Sequence, residues 1–160
     1  MDIIEFDERY LDNVRDLLTE LEEYLVSIDK DKLDTVHPQY WEKMALVDLD
    51  EVNRHNGKCY LAMDNDRAVG LIMGIIPAHG EYDHLDYKCP RKGVITELVV
   101  SDSAQGKGIG KALTEKMEAY FMDQDCEYAF VDVFAYNEKA TSFYQRNGYH
   151  HRMYVDIKKL

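Results

Sequence analysis

The feature that most constrains this chain is a run in which a strand, a glycine-dense turn and a helix follow one another. Residues 94–100 are rich in β-branched side chains and lie between turn residues, which predicts a strand. Residues 105–110 are Gln-Gly-Lys-Gly-Ile-Gly, and apolar residues recur at helical spacing from Leu113 onward. Free amides at a helix start, together with glycines that allow close backbone approach, form an anion site. With Lys107 and Lys111 beside it, a phosphate or pyrophosphate is the expected ligand.

Two common phosphate-binding motifs do not match this turn. The dinucleotide pattern Gly-x-Gly-x-x-Gly fails, because Lys111 stands where the third glycine belongs when counting from Gly106. The Walker pattern, with its Gly-Lys-Ser/Thr end, is absent from the sequence. The turn does match Gln-x-x-Gly-x-Gly at 105–110, so a dinucleotide-binding oxidoreductase domain is disfavoured.

A second motif follows a predicted strand at 128–135. Residues 137–149 are Asn-Glu-Lys-Ala-Thr-Ser-Phe-Tyr-Gln-Arg-Asn-Gly-Tyr, which combines an Asn, an Ala, an apolar-Tyr pair and a Gly-Tyr ending on one predicted helix. The two motifs, in this order and separated by one helix and one strand, resemble the two signatures of the GNAT acetyltransferases. The resemblance is strongest over 93–149 and is only architectural over 1–77.

The resemblance implies a single α/β domain over residues 1–160 with the GNAT fold. Its central sheet would be mixed, mostly antiparallel and splayed at an acetyl-CoA site, with about four flanking helices. The implied function is an N-acetyltransferase that moves an acetyl group from acetyl-CoA, as co-substrate, to a primary amine by direct attack in a ternary complex. A non-catalytic acyl-CoA-binding or regulatory module is the alternative, which the presence of Tyr144 disfavours.

The same resemblance assigns cofactor-binding roles to individual residues. Amides of the glycine-loop strand would meet the pantetheine arm like an added strand, and amides of the loop would hold the pyrophosphate. The implied cofactor-binding residues are Leu98, Val99, Val100, Gln105, Gly106, Lys107, Gly108, Ile109, Gly110, Lys111, Asn137 and Tyr144.

Acetyl transfer to an amine needs a proton donor for the leaving thiolate and a proton acceptor for the amine. Tyr144 matches the family's general acid, although packing of its helix onto the sheet would also account for it. Glu97 is predicted to lie between Ile95 and Val99 on one strand face, where apolar neighbours would raise its pKa. Asp132 on the next strand is the rival base. Either carboxylate could act through water or serve only a structural role.

Charge and cysteine content narrow the partners and the compartment. Nineteen basic and 31 acidic residues give a net charge of −12, which disfavours nucleic acids and anionic membranes as partners. Three widely spaced cysteines (Cys59, Cys89 and Cys126), with no visible secretory signal, predict a reducing cytoplasm. The expected acceptor is a small-molecule or peptide amine, and a homodimer remains an open possibility.

The remaining segments predict helices and strands around these motifs. The predicted strands are 3–6, 59–63, 68–76, 94–100, 128–135 and 149–157, with a hairpin turn at 64–67 and helices over 7–28, 41–52 and 137–147. The long loop 78–92 carries Glu81, Asp83 and Asp86, which predict attraction of a cationic acceptor. The loop histidines His79 and His84 add to these acids, but no rigid element would hold them as ligands, so no metal is predicted.

Overall fold

The computed structural model describes residues 1–85 and 88–160, and it contains a five-stranded sheet with helices on both faces. In chain order the elements are β1 (Asp2–Glu5), α1 (Leu11–Ile28), α2 (Tyr40–Arg54), β2 (Lys58–Asp64), β3 (Arg67–Ile75), β4 (Lys92–Val100), α3 (Ile109–Asp123), β5 (Tyr128–Val131) and α4 (Glu138–Arg146). The strands lie in the order β1-β2-β3-β4-β5, antiparallel except for the parallel pair β4 and β5. The predicted mixed α/β architecture is therefore confirmed.

The core consists of two apolar clusters, one on each face of the sheet. Alternate residues of β2 divide between them, so Leu61 packs with α1 and α2 while Tyr60 packs with α3 and α4. Because both faces are covered, the central strands are nearly continuous in apolar residues. Gly93 allows an especially close approach on the α3 face, since a Cβ there would lie 2.3 Å from the ring of Phe121. This contact seats the last turns of α3 directly on the backbone of β4.

The sheet opens between β4 and β5. The two strands pair only from Lys92 with Tyr128 to Ile95 with Val131, although β4 continues to Val100. Beyond Ile95 no strand in the described chain pairs with this edge of β4, so the predicted splay is confirmed. The predicted strand 128–135 is too long for the same reason, because strand geometry ends where the partner strand diverges.

A β-bulge in β4 changes which side chains share a face. Met73 of β3 lies opposite Glu97, while the next residue, Gly74, lies opposite Ile95, which leaves Thr96 as the extra residue. Ile95 therefore packs with the α3 cluster and Val99 with the α1/α2 cluster. The prediction that Ile95, Glu97 and Val99 lie on one face is wrong, because simple alternation does not survive the extra residue.

The predicted last strand, 149–157, is also wrong. Residues 150–160 have no regular secondary structure, and every residue of this segment is exposed. The alternating pattern is present in the sequence, but a strand also requires a partner, and within the described chain this segment has none. Among the described residues, no helix is both long enough and apolar enough to cross a membrane.

Candidate active site

The glycine loop forms an open cradle at the start of α3. Gly106 and Gly108 have φ values of +76° and +80°, and a Cβ added at either would meet nothing within 4 Å. Gly108 is the N-cap residue, so no side chain caps the helix, and the first turn carries no acid. The first amides of α3 therefore remain available, and the left-handed backbone explains why glycine occupies both positions. An anion fits this cradle by charge and by space.

Gln105 fastens the cradle to the end of β4. Its side-chain amide donates to the carbonyl oxygen of Val100 at 3.2 Å and to the carboxylate of Asp102 at 2.8 Å. The motif's glutamine thus positions the loop through its side chain, a role that the sequence pattern alone did not indicate. Lys107 lies within the loop and is exposed, and Lys111 in the first turn of α3 forms an exposed ion pair with Glu115 at 3.6 Å.

One cleft of about 380 Å³ occupies the gap in the sheet. The structure brings most of the predicted site residues together in its lining, namely Glu97, Leu98, Val99, Val100, Gln105, Gly110, Asp132, Asn137 and Tyr144. Gly106, Lys107, Gly108, Ile109 and Lys111 do not line it. They flank Gln105 and Gly110 in the loop that borders it, and the side chain of Ile109 is buried in the core.

Helix α1 also lines the cleft, as expected of a helical region (7–55) predicted to set acceptor selectivity, but through residues that the sequence did not single out. Leu21, Tyr24 and Leu25 contribute side chains opposite β4. The only available signal was the apolar stripe of α1, and such a stripe predicts core packing without indicating that part of it faces a cleft.

Tyr144 is placed by α4, which Asn137 initiates. The side-chain oxygen of Asn137 accepts from the amide of Ala140 at 3.0 Å and from the Tyr24 hydroxyl at 3.4 Å, so this residue caps α4 as well as lining the cleft. Tyr144 is 6% exposed and packs edge-on against Phe143 and Tyr149. Burial, and then the negative charge of Glu97, raise the pKa of Tyr144 above its ordinary value. The phenol therefore keeps its proton at neutral pH.

The pKa of Glu97 is raised far above that of an ordinary glutamate. Burial, and then the negative charges of Asp48, Glu22 and Glu51 in that order, raise its pKa to about 8. Burial, followed by the charge of Glu51, also raises the pKa of Asp48 to about 6. These acids belong to α1 and α2, so helices far away in sequence determine the proton affinity of a side chain on β4.

Sequence reasoning missed Asp48, although one signal could have found it. Asp48 lies on the same side of α2 as Ala45, Leu49 and Val52, which are buried in the core. An acidic residue at a position on the apolar face of an amphipathic helix is unusual without a functional or structural reason.

Asp132 lies in a different environment. It lines the cleft just after the end of β5, but its side chain is exposed. The two candidate bases are thus distinguished by burial, because Glu97 is enclosed among acids and Asp132 faces solvent.

The long loop before β4 is organised by its own side chains. The carboxylate of Asp83 accepts from the amide of Gly80 at 2.9 Å, and a short 3₁₀ turn follows at Asp83–Leu85. Asp86 lies outside the described residues. Among those that are described, no group of three or more His, Cys, Asp or Glu side chains is arranged to hold a metal ion.

Comparison with known proteins agrees with this geometry. The model of the acetyltransferase (GNAT) family matches residues 14–149. The chain belongs to this family, a class of acyltransferases whose acyl donor is acetyl-CoA. The expected family and the expected co-substrate are thereby confirmed.

A curated relative gives a more local match. An uncharacterised N-acetyltransferase of Methanocaldococcus jannaschii is 33% identical over 94 residues, which is 58% of this chain and 53% of that protein. The matched stretch therefore spans about half the length of that relative.

Solved structures share the fold over essentially the whole chain. A tetramutant of the BH1408 protein from Bacillus halodurans has a TM-score of 0.84 at 18% identity, and the match covers 100% of both chains. The aminoglycoside N-acetyltransferase AAC(6')-Iy in complex with CoA has a TM-score of 0.67 at 16% identity, with 99% of this chain and 98% of that chain covered. At these identities the likeness supports the fold alone.

Proposed function

We propose that the protein transfers an acetyl group from acetyl-CoA to a primary amine of a small molecule, with both substrates bound together. The observation that carries this proposal is that Gln105, which holds the glycine loop to β4, lines the same cleft as Tyr144 and Glu97. If the glycine loop binds the phosphates of acetyl-CoA, its acetyl thioester would therefore lie in the cleft that contains Tyr144 as proton donor and Glu97 as proton acceptor. No covalent enzyme intermediate is needed, because proximity supplies much of the acceleration.

Glu97 is the base that the geometry favours over Asp132. An ammonium group must lose a proton before its nitrogen can attack the thioester carbonyl carbon. A carboxylate with a pKa of about 8 is a stronger proton acceptor than an ordinary one, and it is still partly ionised near neutral pH. The exposed Asp132 has no burial of this kind. Glu97 would take the proton either directly or through water.

Tyr144 then completes the transfer. As the new carbon–nitrogen bond forms and the carbon–sulfur bond breaks, the electron pair of that bond passes to sulfur. The Tyr144 hydroxyl donates its proton to the departing sulfur. The newly acylated nitrogen releases its second N–H proton, directly or through water, to the Tyr144 oxygen, whose raised pKa favours its reprotonation before the next turnover. The products are an N-acetylated amine and free CoA.

The acceptor is inferred to be a cation at neutral pH. The acids Glu22, Asp48 and Glu51 act on Glu97 electrostatically, so an arriving ammonium group would be attracted to the same place. The net charge of −12 gives a broader attraction of the same sign. A fold shared with an aminoglycoside acetyltransferase supports a small-molecule amine over a protein substrate. The cytoplasm remains the expected location, from the cysteine pattern.

A screen that follows release of the CoA thiol tests the proposal. Polyamines, aminoglycosides, free lysine and short peptides are each supplied with acetyl-CoA at pH 8.5, using wild type and the Tyr144→Phe variant. We expect CoA release with at least one small amine in wild type and strongly reduced release in the variant. Binding of acetyl-CoA without release for any amine would favour the acyl-CoA-binding module instead.

A further inference from the structure

Helix α1 is hydrogen-bonded to the chain on both sides of the gap in the sheet. On the β4 side, the carboxylate of Glu20 accepts from the amide of Asp102 at 2.9 Å. One turn further along α1, the Tyr24 hydroxyl donates to the side-chain oxygen of Asn137 at 3.4 Å. Glu20, Tyr24 and Asn137 all line the cleft. These α1 residues therefore stand beside the space in which the acyl donor is proposed to bind.

The contacts of Asn137 fix which end of its side-chain amide faces the cleft. The backbone amide of Ala140 can only donate, so the atom that it contacts at 3.0 Å is the Asn137 oxygen. The Tyr24 hydroxyl donates to the same oxygen and fills its second acceptor position. Within the described chain the Asn137 nitrogen, Nδ2, has no acceptor, and it is not a fully enclosed atom. Because Asn137 is 9% exposed and lines the cleft, this Nδ2 group faces that space.

We propose that Tyr24 is a positioning residue for the acyl donor, which holds the Asn137 amide with its Nδ2 group toward a carbonyl oxygen of the pantetheine arm. An Nδ2 group only donates, and the pantetheine arm carries amide carbonyls along its length. The inference rests on the proposed binding of acetyl-CoA in this cleft, but it does not depend on which amine accepts the acetyl group.

The spacing along α4 favours an amide carbonyl of the arm over the thioester carbonyl. Asn137 is the N-cap of α4, and Tyr144 follows seven residues later, about 10 Å along the helix axis. The group that Asn137 contacts is therefore separate from the sulfur at which Tyr144 acts. A contact of this kind is equally strong before and during the reaction, so its loss should raise KM for acetyl-CoA far more than it lowers kcat.

Tyr24 is held in place by its neighbours on both helices. The ammonium group of Lys139, in the first turn of α4, lies 5.5 Å from the centre of the Tyr24 ring. Leu21 and Leu25 of α1 line the same cleft beside it. The ring is thus fixed from α4 as well as from its own helix, which keeps its hydroxyl at the Asn137 oxygen.

Calorimetric titration of the full chain with two ligands tests the role of Tyr24. Tyr24→Phe keeps the ring and removes the hydroxyl, so the Kd for acetyl-CoA should rise about three- to tenfold. The Kd for 3′-phospho-ADP, which is the nucleotide half of CoA and lacks the pantetheine arm, should stay unchanged. An unchanged Kd for acetyl-CoA, or an equal rise for both ligands, would overturn the proposal. Turnover does not enter this measurement, so its outcome stays readable even if no amine is acetylated.

Tyr136→Phe is the matched control for loss of a hydroxyl between the same two parts of the chain. The Tyr136 hydroxyl donates to the carboxylate of Asp31 at 2.8 Å, so it also joins the segment after α1 to the segment before α4. This variant should keep the wild-type Kd for acetyl-CoA. A rise equal to that of Tyr24→Phe would mean that loosening of α1 explains both results, which contradicts a specific role of Tyr24.

A double-variant cycle shows whether Tyr24 acts through Asn137. Asn137→Ser keeps a side-chain oxygen as the N-cap of α4 and removes the Nδ2 donor, so the Kd for acetyl-CoA should rise at least as much as in Tyr24→Phe. In the combined variant, Tyr24→Phe should add nothing further. Fully additive losses would show that Tyr24 does not work through the Asn137 amide.

The side-chain amide signals of Asn137 report the contact directly. In proton–nitrogen correlation spectra, acetyl-CoA should shift these signals in wild type and shift them less in Tyr24→Phe, whereas 3′-phospho-ADP should leave them in place. Asn137→Ser identifies the signals by their disappearance. Signals that acetyl-CoA does not move in wild type would overturn the proposed contact.

Discussion

Two groups of residues, each with at least one member that lines the cleft, differ in charge and in how they are distributed along the sequence. The donor side, defined as the loop 105–111 with α3, is contiguous, begins its helix without an acid and carries two lysines. The acceptor side, defined as Glu22, Asp48, Glu51 and Glu97, is collected from two helices and a strand. By contrast with α3, helices α1, α2 and α4 all carry an acid in the first turn. Such an acid normally stabilises a helix, so its absence from α3 leaves that N-terminus to an external anion.

The largest effect should come from adding a negative charge to the donor side. Gly108→Asp introduces both left-handed strain and a carboxylate where the phosphates are expected, so the acetyl-CoA-induced thermal shift should disappear. In wild type this shift corresponds to roughly 2.7 kcal/mol at about 100 times Kd. NADH should produce no shift in either protein.

Gly148→Asp is the matched control for that change. Gly148 also has a positive φ of +91°, and an added Cβ there would also meet nothing within 4 Å. It differs from Gly108 in position, because it follows the C-terminal end of α4 and does not start a helix. The Gly148→Asp variant should lose about as much stability as Gly108→Asp, but acetyl-CoA should still raise its melting temperature. Loss of the shift in both variants would mean that strain, not the phosphate site, explains the first result.

Removal of the Tyr144 hydroxyl should have the next largest effect, a loss of turnover rate. Tyr144→Phe keeps the edge-on ring packing and removes the proton, so kcat should fall roughly 10²-fold while acetyl-CoA binding is retained. Steady-state kinetics under conditions where chemistry limits turnover provide the measurement. Tyr149→Phe removes the adjacent hydroxyl, which is bound to Glu118, and should leave kcat nearly unchanged. An unaltered rate in Tyr144→Phe would return this residue to a packing role.

Glu97 links activity to stability on the acceptor side. Its pKa is about 8 in the folded chain against 4.5 for an ordinary glutamate, so the folded state binds more protons between these pH values. Its contribution to stability therefore falls as pH rises through this window. Activity should show the opposite trend, with kcat/KM rising along a limb near pH 8.

Glu97→Gln separates these two trends. At pH 5 the variant should melt close to wild type, whereas at pH 9 it should melt higher, by roughly 5 °C, because a buried charge has been removed. The rising limb of its residual activity should vanish. The exposed Glu127→Gln serves as a control for both measurements. Retention of the limb in Glu97→Gln would favour Asp132 or water as the base.

The smallest effect should follow from weakening the acceptor side without touching Glu97. Asp48→Asn removes one nearby negative charge, so KM for a cationic amine should rise about three- to fivefold and its increase with salt should flatten. The pH limb should also move to lower pH, because Asp48 is the leading charge that raises the pKa of Glu97. Asp50→Asn, on the same helix but paired with Arg54, is the control and should change neither. A comparison with Glu81→Gln tests whether the long loop contributes, as its sequence predicted.

The sequence predicted the local backbone structure of the glycine loop and of α4, because the determinants of both are local. Glycines at 106 and 108, the capping Asn137 and the helical Tyr144 act within a few residues of their own positions, so their spacing shows in one dimension. The acceptor side depends on register and packing. The extra residue Thr96 places Ile95 and Glu97 on opposite faces of the sheet, so Glu97 lies with Val99 on the face covered by α1 and α2, where Asp48 and Glu22 raise its pKa. Nothing in the alternation of residues 94–100 indicates that bulge.

The close approach of Phe121 to Gly93 has a consequence for the opposite end of α3. A helix of 15 residues is a rod about 22 Å long, and this contact fixes one end of it on the backbone of β4. The anion cradle is at the other end. A larger side chain at position 93 would clash with Phe121 and push this end of the rod away from the sheet, so we expect a substitution in the core to weaken acyl-donor binding at the far end of the helix.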